Sequence, residues 1–253
     1  MEQQKQRLFD SHFHIINPKF PLFPNHGYLP PTFTVDDYQL KLQNYQLVGG
    51  AVVSGSFQKL DQTYLIDALE KLGKNYVGVT QLSADTPDNT ILSLHKHGVR
   101  ALRFNLVRGG SEQIGFIDTL ARRVFDLAGW HVELYVEASA LTPLYNKLIA
   151  LPAASIDHMG ITKQGFPILL KLAEKGVKVK ASGFGRLDFD PAAAIVDLYQ
   201  ANPHCLMFGS DLPSTRAPRP FKPEDILLIR DTLDEAQAEN VLVKNAYQFY
   251  LKK

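Results

Sequence analysis

Along the chain, short runs of apolar and β-branched residues alternate with longer stretches in which apolar positions recur three and four apart. The short runs, at residues 7–12, 51–54, 76–80, 99–104, 131–137, 155–158, 177–181 and 206–210, read as strands. The stretches between them read as helices. Tyr38, Leu42 and Tyr45 share one helical face, as do Leu65, Ala68, Leu69 and Leu72, and Gly73, Gly98 and Gly176 supply stops. Eight strand–helix pairs and a last helix over 238–250 predict an α/β fold, a single (β/α)8 TIM barrel spanning residues 1–253 with a C-terminal helix closing its floor. A doubly wound open sheet shares this alternation, but it carries a Gly-rich phosphate loop after its first strand, and none stands here.

Composition narrows the function classes. The 253 residues are 45% hydrophobic, enough for a large core, and 27 Lys+Arg against 26 Asp+Glu give a formal charge of +1. With no block of like charge, nothing announces a surface for nucleic acid. Cys205 is the single cysteine, which excludes an intramolecular disulfide and a Cys-rich metal site and fits a reducing compartment. No run of eighteen apolar residues predicts a membrane span, and the start of the chain lacks the apolar stretch of a signal peptide. The expected location is the cytoplasm, and the oligomeric state is left open.

Chemistry in such a barrel belongs at the C-terminal ends of the strands. The first predicted strand reads LFDSHFHI, and strict alternation puts Asp10, His12 and His14 on one inward face with Phe9, Ser11 and Phe13 on the other. The sixth ends in SIDHMG, with His158 at the mouth and Asp157 facing away. The eighth ends in LMFGSDLP and delivers Asp211 ahead of a proline. One such residue could be a core histidine or a helix cap. Together, His12, His14, His158 and Asp211 form a set able to bind a divalent metal, or to polarise a carbonyl while the carboxylate deprotonates water.

With these residues in view, the chain resembles the amidohydrolase-related family, in its branch of pyrone dicarboxylate lactonases. The likeness rests on DSHFH, GVRALRFNLV, GWHVELYVEA, IDHMG, KASGFGRLD, FGSDLP and NAYQFYL in common order and spacing. The resemblance implies a lactone hydrolase in which Asp211 is general base on water and His12, His14 and His158 line the pocket and assist the carbonyl. It also implies that Arg103 and Arg186 grip substrate carboxylates, with Tyr135 hydrogen-bonding nearby. Paired N–H donors suit Arg to that task, although Arg103 could equally serve a structural ion pair and Arg186 a loop charge. Ser54 and Ser56 could supply hydroxyls, or belong to an ordinary turn. The chain departs from the family pattern where Arg108 is followed by Gly109 and Gly110, and where Leu212 and Ser214 follow Asp211 with Arg216 and Arg219 near by. Arg108 and Arg216 join the expected substrate contacts, and the acid groups of the substrate are expected to be placed differently from those of the pyrone.

No metal is favoured. The residue on strand five bears most on this, and its inward set is either Leu134, Val136 and Ala138 or His131, Glu133, Tyr135 and Glu137. Tyrosine is a poor zinc ligand at neutral pH, while Glu137 keeps a metal in play. The alternative is a mononuclear zinc or manganese hydrolase or decarboxylase held by His12, His14, His158 and Asp211. An alternative of another class is a non-catalytic barrel that binds a small carboxylated metabolite.

Overall fold

The computed structural model describes residues 5–252. Eight parallel strands pair in chain order: β1 (Arg7–Phe13), β2 (Gln46–Val53), β3 (Tyr76–Thr80), β4 (Val99–Asn105), β5 (His131–Tyr135), β6 (Ala154–Ile156), β7 (Lys178–Ala181) and β8 (Leu206–Phe208). The seam between β8 and β1 is tied just beyond β8, where the Asp211 amide donates to the His12 carbonyl and the His14 amide to the Leu212 carbonyl, both at 2.7 Å. The predicted (β/α)8 barrel is thus present, and its closing hydrogen bonds lie at its mouth.

The strand pattern sorts side chains into two layers. Leu8, Val52, Leu102, Phe104, Val132, Leu134, Ile156, Val179, Leu206 and Phe208 pack outward beneath the helices, while Phe9, Ala51, Val53, Val77, Val79, Ala101 and Met207 fill the interior near the floor. The helices bury one stripe each. In the α-helix Thr63–Leu72, Tyr64, Leu65, Ala68 and Leu69 are buried, and Gly73, with φ of 91°, ends it in a conformation glycine adopts without strain. The α-helix Pro191–Ala201 starts with Asp190 capping the Ala192 amide at 3.0 Å and proline in its first turn.

The closing helix predicted over 238–250 is broken in two. An α-helix Glu235–Glu239 runs through a wider π-type turn, Asn240–Lys244, into the α-helix Asn245–Leu251. That last helix seats Ala246 and Tyr250 against Phe9, with the Phe9 and Tyr250 rings stacked 5.7 Å apart. The floor is sealed, which leaves the opposite end for chemistry. No described helix is long and apolar enough to cross a membrane.

Candidate active site

A pocket of about 430 Å³, open mouth included, lies at the C-terminal ends of the strands. His14, Ser56, Arg103, Arg108, Tyr135, His158, Arg186, Asp211 and Arg216 line it, so nine of the expected site residues gather in one place. His12 lies just beneath, fully buried, with its ring 5.1 Å from that of His14 and 4.6 Å from that of His158.

At the centre stands one carboxylate. Asp211 Oδ1 is 4.0 Å from His12 Nε2 and 3.8 Å from both His14 Nε2 and His158 Nε2. This oxygen is buried and accepts no hydrogen bond, and His12 Nε2 is likewise without a partner. The other oxygen, Oδ2, accepts from Arg186 Nε at 2.7 Å, which fixes which oxygen faces the histidines. The turn carrying Asp211 is backed by Asp10, whose carboxylate accepts from the Ser210 amide at 2.8 Å and the Ser210 hydroxyl at 2.6 Å. Asp211, Ser214 and Arg216 in that turn, and His158 across the pocket, all have φ between 52° and 64°. Such left-handed backbone in residues other than glycine costs on the order of 1–3 kcal/mol each and gathers where function fixes side-chain direction.

Burial disfavours the charged form of all three histidines. Burial pushes His14 and His158 well below the ordinary imidazole value, reinforced by His12 and the neighbouring guanidiniums. Burial lowers His12 as well, with Asp157 opposing and Lys180 adding to the effect. The orientation of each ring is set from behind: His14 Nδ1 sits 2.7 Å from the Val53 carbonyl, and His158 Nδ1 sits 2.9 Å from the Ser182 hydroxyl.

Three placements differ from those read along the strands. Asp10 lies on the far side of β1 beside Tyr38, and Phe9 points into the barrel, because β1 carries a bulge: three steps from Asp10 to Phe13 match two from Gly50 to Val52. The bulge restores His12 and His14 to the inside. Asp157 does not face away. β6 ends at Ile156, Asp157 continues the inward face, and His158 then turns back inside through its φ of 52°. On β5 the inward set is His131, Glu133 and Tyr135, whereas Glu137 is exposed past the strand end and so takes no part in a metal site.

Arg103 and Arg186 reach the pocket but arrive already paired. Arg103 Nη2 donates to Asp157 Oδ2 at 3.0 Å and its Nη1 to the Ser54 carbonyl. Arg186 holds Asp211 and donates to the Thr215 carbonyl at 2.9 Å. Tyr135 packs its ring 5.2 Å from that of His158. The Ser54 hydroxyl is engaged by Tyr64 at 2.6 Å and stands outside the pocket lining, and Arg219 is drawn off to Asp225 at 2.7 Å. The rim differs. Arg216 donates to Asn25 Oδ1 at 3.0 Å and lies over the Tyr28 ring at 4.5 Å, and neither it nor Arg108 has a carboxylate partner among the described residues.

Beneath the pocket lies a cluster absent from the sequence reading. Lys180, fully buried, donates to Glu133 and lies 3.4 Å from Asp157 Oδ1, while Tyr250 donates to the other oxygen of Glu133. Burial would raise Glu133, but Lys180 and His131 hold it down to about 2. Burial likewise opposes charge on Asp157, which His12, Lys180 and Arg103 keep well below the usual carboxylate range. The signal for Lys180 was the KVKA strand itself, whose two lysines alternate onto the inward face.

Among the described residues, two groups have metal-ligand spacing. Ligand atoms of His12, His158 and Asp211 lie within 4.8 Å of one another, as do those of His12, Glu133 and Asp157. The second is filled by the Lys180 ammonium. The first, with His14 close by, contains the partnerless Asp211 Oδ1 and His12 Nε2 and so fits a divalent ion by distance and donor type.

The comparisons agree with this fold. A 2-pyrone-4,6-dicarboxylate hydrolase of Comamonas testosteroni is 30% identical over 159 residues, 60% of this chain, and the match spans about half (51%) of that relative's length. A 4-sulfomuconolactone hydrolase of Rhizobium radiobacter is 25% identical over 269 aligned positions, covering 96% of this chain and 89% of the relative. The crystal structure of an Acinetobacter baumannii protein, named a "probable 2-pyrone-4,6-dicarboxylic acid hydrolase" and holding citric acid, superposes with a TM-score of 0.82 at 23% identity, over 96% of this chain and 98% of that one. The amidohydrolase family profile matches residues 9–252, and the chain belongs to the amidohydrolase family of hydrolytic enzymes.

Proposed function

We propose that the protein hydrolyses the ester bond of a small carboxylated lactone, with Asp211 as general base. The observation that carries this reading is the partnerless Asp211 Oδ1, buried and ringed by three imidazole nitrogens at 3.8–4.0 Å, with its sister oxygen tied to Arg186. A water in that gap meets a carboxylate acceptor and several imidazoles at once. Asp211 takes its proton as it attacks the carbonyl carbon, and an imidazole N–H in the pocket stabilises the charge that develops on the carbonyl oxygen. When the ring opens, the same carboxyl group returns its proton to the leaving oxygen, and Tyr135 hydrogen-bonds near the reacting end.

The paired state of Arg103 and Arg186 favours the rim as the place for acid groups. Both deep guanidiniums are matched by buried carboxylates, whereas neither Arg108 nor Arg216 has a carboxylate partner among the described residues, with the Ser56 hydroxyl alongside. Substrate acid groups lie there, and the lactone carbonyl points inward to Asp211. The names of the curated relatives, a pyrone dicarboxylate hydrolase and a sulfomuconolactone hydrolase, support an anionic lactone in general.

A second reading has a specific observation in its favour. His12, His14, His158 and Asp211 would hold one zinc or manganese ion, which would supply Lewis acidity and a more acidic bound water. Against it, Arg103 and Arg186 already place two positive charges beside the donor set. The test is hydrolysis of a lactone panel bearing zero, one or two acid groups, before and after exhaustive chelation. Turnover of acid-bearing lactones that survives chelation is the expected result. Turnover lost to chelator and restored by zinc or manganese replaces this reading with the metal one, and tight binding with no turnover across the panel reduces the barrel to a carboxylate-binding protein.

A further inference from the structure

Lys180 is buried, charged and unused by the hydrolytic reading. Its Nζ lies 3.2 Å from His12 Nδ1 in hydrogen-bonding geometry. Asp157 Oδ1, 3.3 Å from the same nitrogen, is the competing acceptor for a proton there, but it lies off the line of a hydrogen bond. An ammonium has three donors and no acceptor, so its contact with Nδ1 requires the lone pair there, and a neutral imidazole must then carry its proton on Nε2. His12 Nε2 is the buried atom without a partner, 4.0 Å from Asp211 Oδ1. His14 is the reverse case. Its Nδ1 faces the Val53 carbonyl, an acceptor only, so Nδ1 holds the proton and Nε2 presents a lone pair to the pocket.

We propose that Lys180 is a positioning residue that fixes His12 as the Nε2–H tautomer, so that β1 delivers one hydrogen-bond donor, His12, and one acceptor, His14, to the same pocket. Lysine suits the place twice over. It supplies the donor to Nδ1, and with Arg103 it balances the buried Glu133 and Asp157, so that the floor stays neutral beneath the histidines. The catalytic consequence rests on the hydrolytic reading: His12 donates to the carbonyl oxygen as it becomes an oxyanion, which an imidazole presenting a lone pair would repel. The consequence for metal is independent of that reading. His12 cannot ligate an ion through Nε2 without giving up that proton, so the resting donor set shrinks to His14, His158 and Asp211.

The test is the tautomeric state of each histidine, read from long-range ¹H–¹⁵N couplings in protein labelled with ¹⁵N-histidine near neutral pH. The chain has eight histidines, and the His12 signals are those lost in His12→Gln. The expected result is a protonated Nε2 and bare Nδ1 for His12, with the opposite pattern for His14. A protonated Nδ1 on His12, or an averaged mixture of the two forms, overturns the proposal. This measurement uses the wild-type protein and depends on no variant of Lys180. The double variant Lys180→Met/Glu133→Gln removes one charge of each sign from the cluster, and in it the His12 proton should move to Nδ1, facing Asp157. Retention of Nε2–H in that variant shows that something other than Lys180 sets the tautomer and also overturns the proposal. Neither arm reads lactone hydrolysis, so the tautomer and the catalytic assignment can fail separately.

Discussion

Replacing Asp211 by asparagine isolates the base from its surroundings. Arg186 Nε donates to Asp211 Oδ2 at 2.7 Å and needs an acceptor, so the asparagine must turn its carbonyl toward Arg186. Its NH2 group then replaces Oδ1, the atom set among three imidazole nitrogens at 3.8–4.0 Å, and a donor without basicity stands where the water's proton should go. Loss of a positioned general base lowers turnover by about 10²–10⁴, or about 3–5 kcal/mol of barrier. Stability suffers less, because Arg186 keeps a neutral acceptor; a cost of about 1–3 kcal/mol is expected, below that of emptying a buried pair. Affinity for an acid-bearing ligand should stay within a few fold or tighten, since a negative charge has left the pocket. Ring opening followed by ultraviolet absorbance gives kcat and KM, titration with a non-hydrolysed carboxylate analogue of the substrate gives ground-state affinity, and a urea curve gives stability. A kcat within tenfold of wild type on a confirmed substrate refutes the base assignment, and equal losses of affinity and turnover would point to a collapsed site instead.

Arg216→Met should raise KM about tenfold or more while kcat changes by less than about threefold, since a charge-assisted contact is worth about 1.5–3 kcal/mol and Arg216 is bonded to Asn25 rather than to Asp211; an unchanged KM would remove the rim from substrate binding. Arg103→Met should cost about 3–5 kcal/mol of stability by leaving Asp157 buried beside a lost partner, and a urea midpoint within error of wild type would show that Lys180 alone satisfies it. Acid should destabilise the protein in two stages. His12, His14 and His158 titrate below the ordinary imidazole value when folded, so their contribution is complete above about pH 6.5 and is lost as pH falls below it. Glu133, held down to about 2 from 4.5, adds stability above its unfolded value that is lost between about pH 4.5 and 2, on the order of 3 kcal/mol; urea midpoints that stay flat from pH 7 to 3 would contradict both stages.

The barrel was legible because alternation of strand and helix survives irregularity in any one element, and the site was legible where a strand end carries residues with no use in a core. His12, His14, His158 and Asp211 belong to that class. Strict alternation put Asp10 with the histidines, but the bulge in β1 shifts the phase by one between Asp10 and Phe13, so His12 and His14 face inward while Asp10 braces the Ser210 turn instead. Asp157 was misplaced for a related reason: β6 has three residues, and left-handed backbone at His158 cancels the alternation that would have separated the two neighbours. Lys180 was passed over because lysine in a strand ordinarily points to solvent. Its partners Glu133 and His12 come from two other strands and Asp157 from the turn after a third, and only the closed barrel brings them within reach.

The same closure explains how a chain with a formal charge of +1 can hold an anion-seeking pocket. Charge is arranged by depth. At the floor Lys180 and Arg103 stand against Glu133 and Asp157, and one level up Arg186 stands against Asp211, so each of these charges has an opposite neighbour. Burial disfavours imidazolium in the rings between them, and an unmatched negative charge there would oppose that effect. At the rim the balance stops: Arg108 and Arg216 line the mouth with no carboxylate partner among the described residues, so the field that reaches an approaching ligand is theirs. Exchanging Arg216 for methionine therefore tests more than one contact. Under this arrangement it should also weaken the salt dependence of kcat/KM for acid-bearing lactones and leave that of an uncharged lactone unchanged, whereas an equal salt response in both would place the attracting charge at the floor and undo the division by depth.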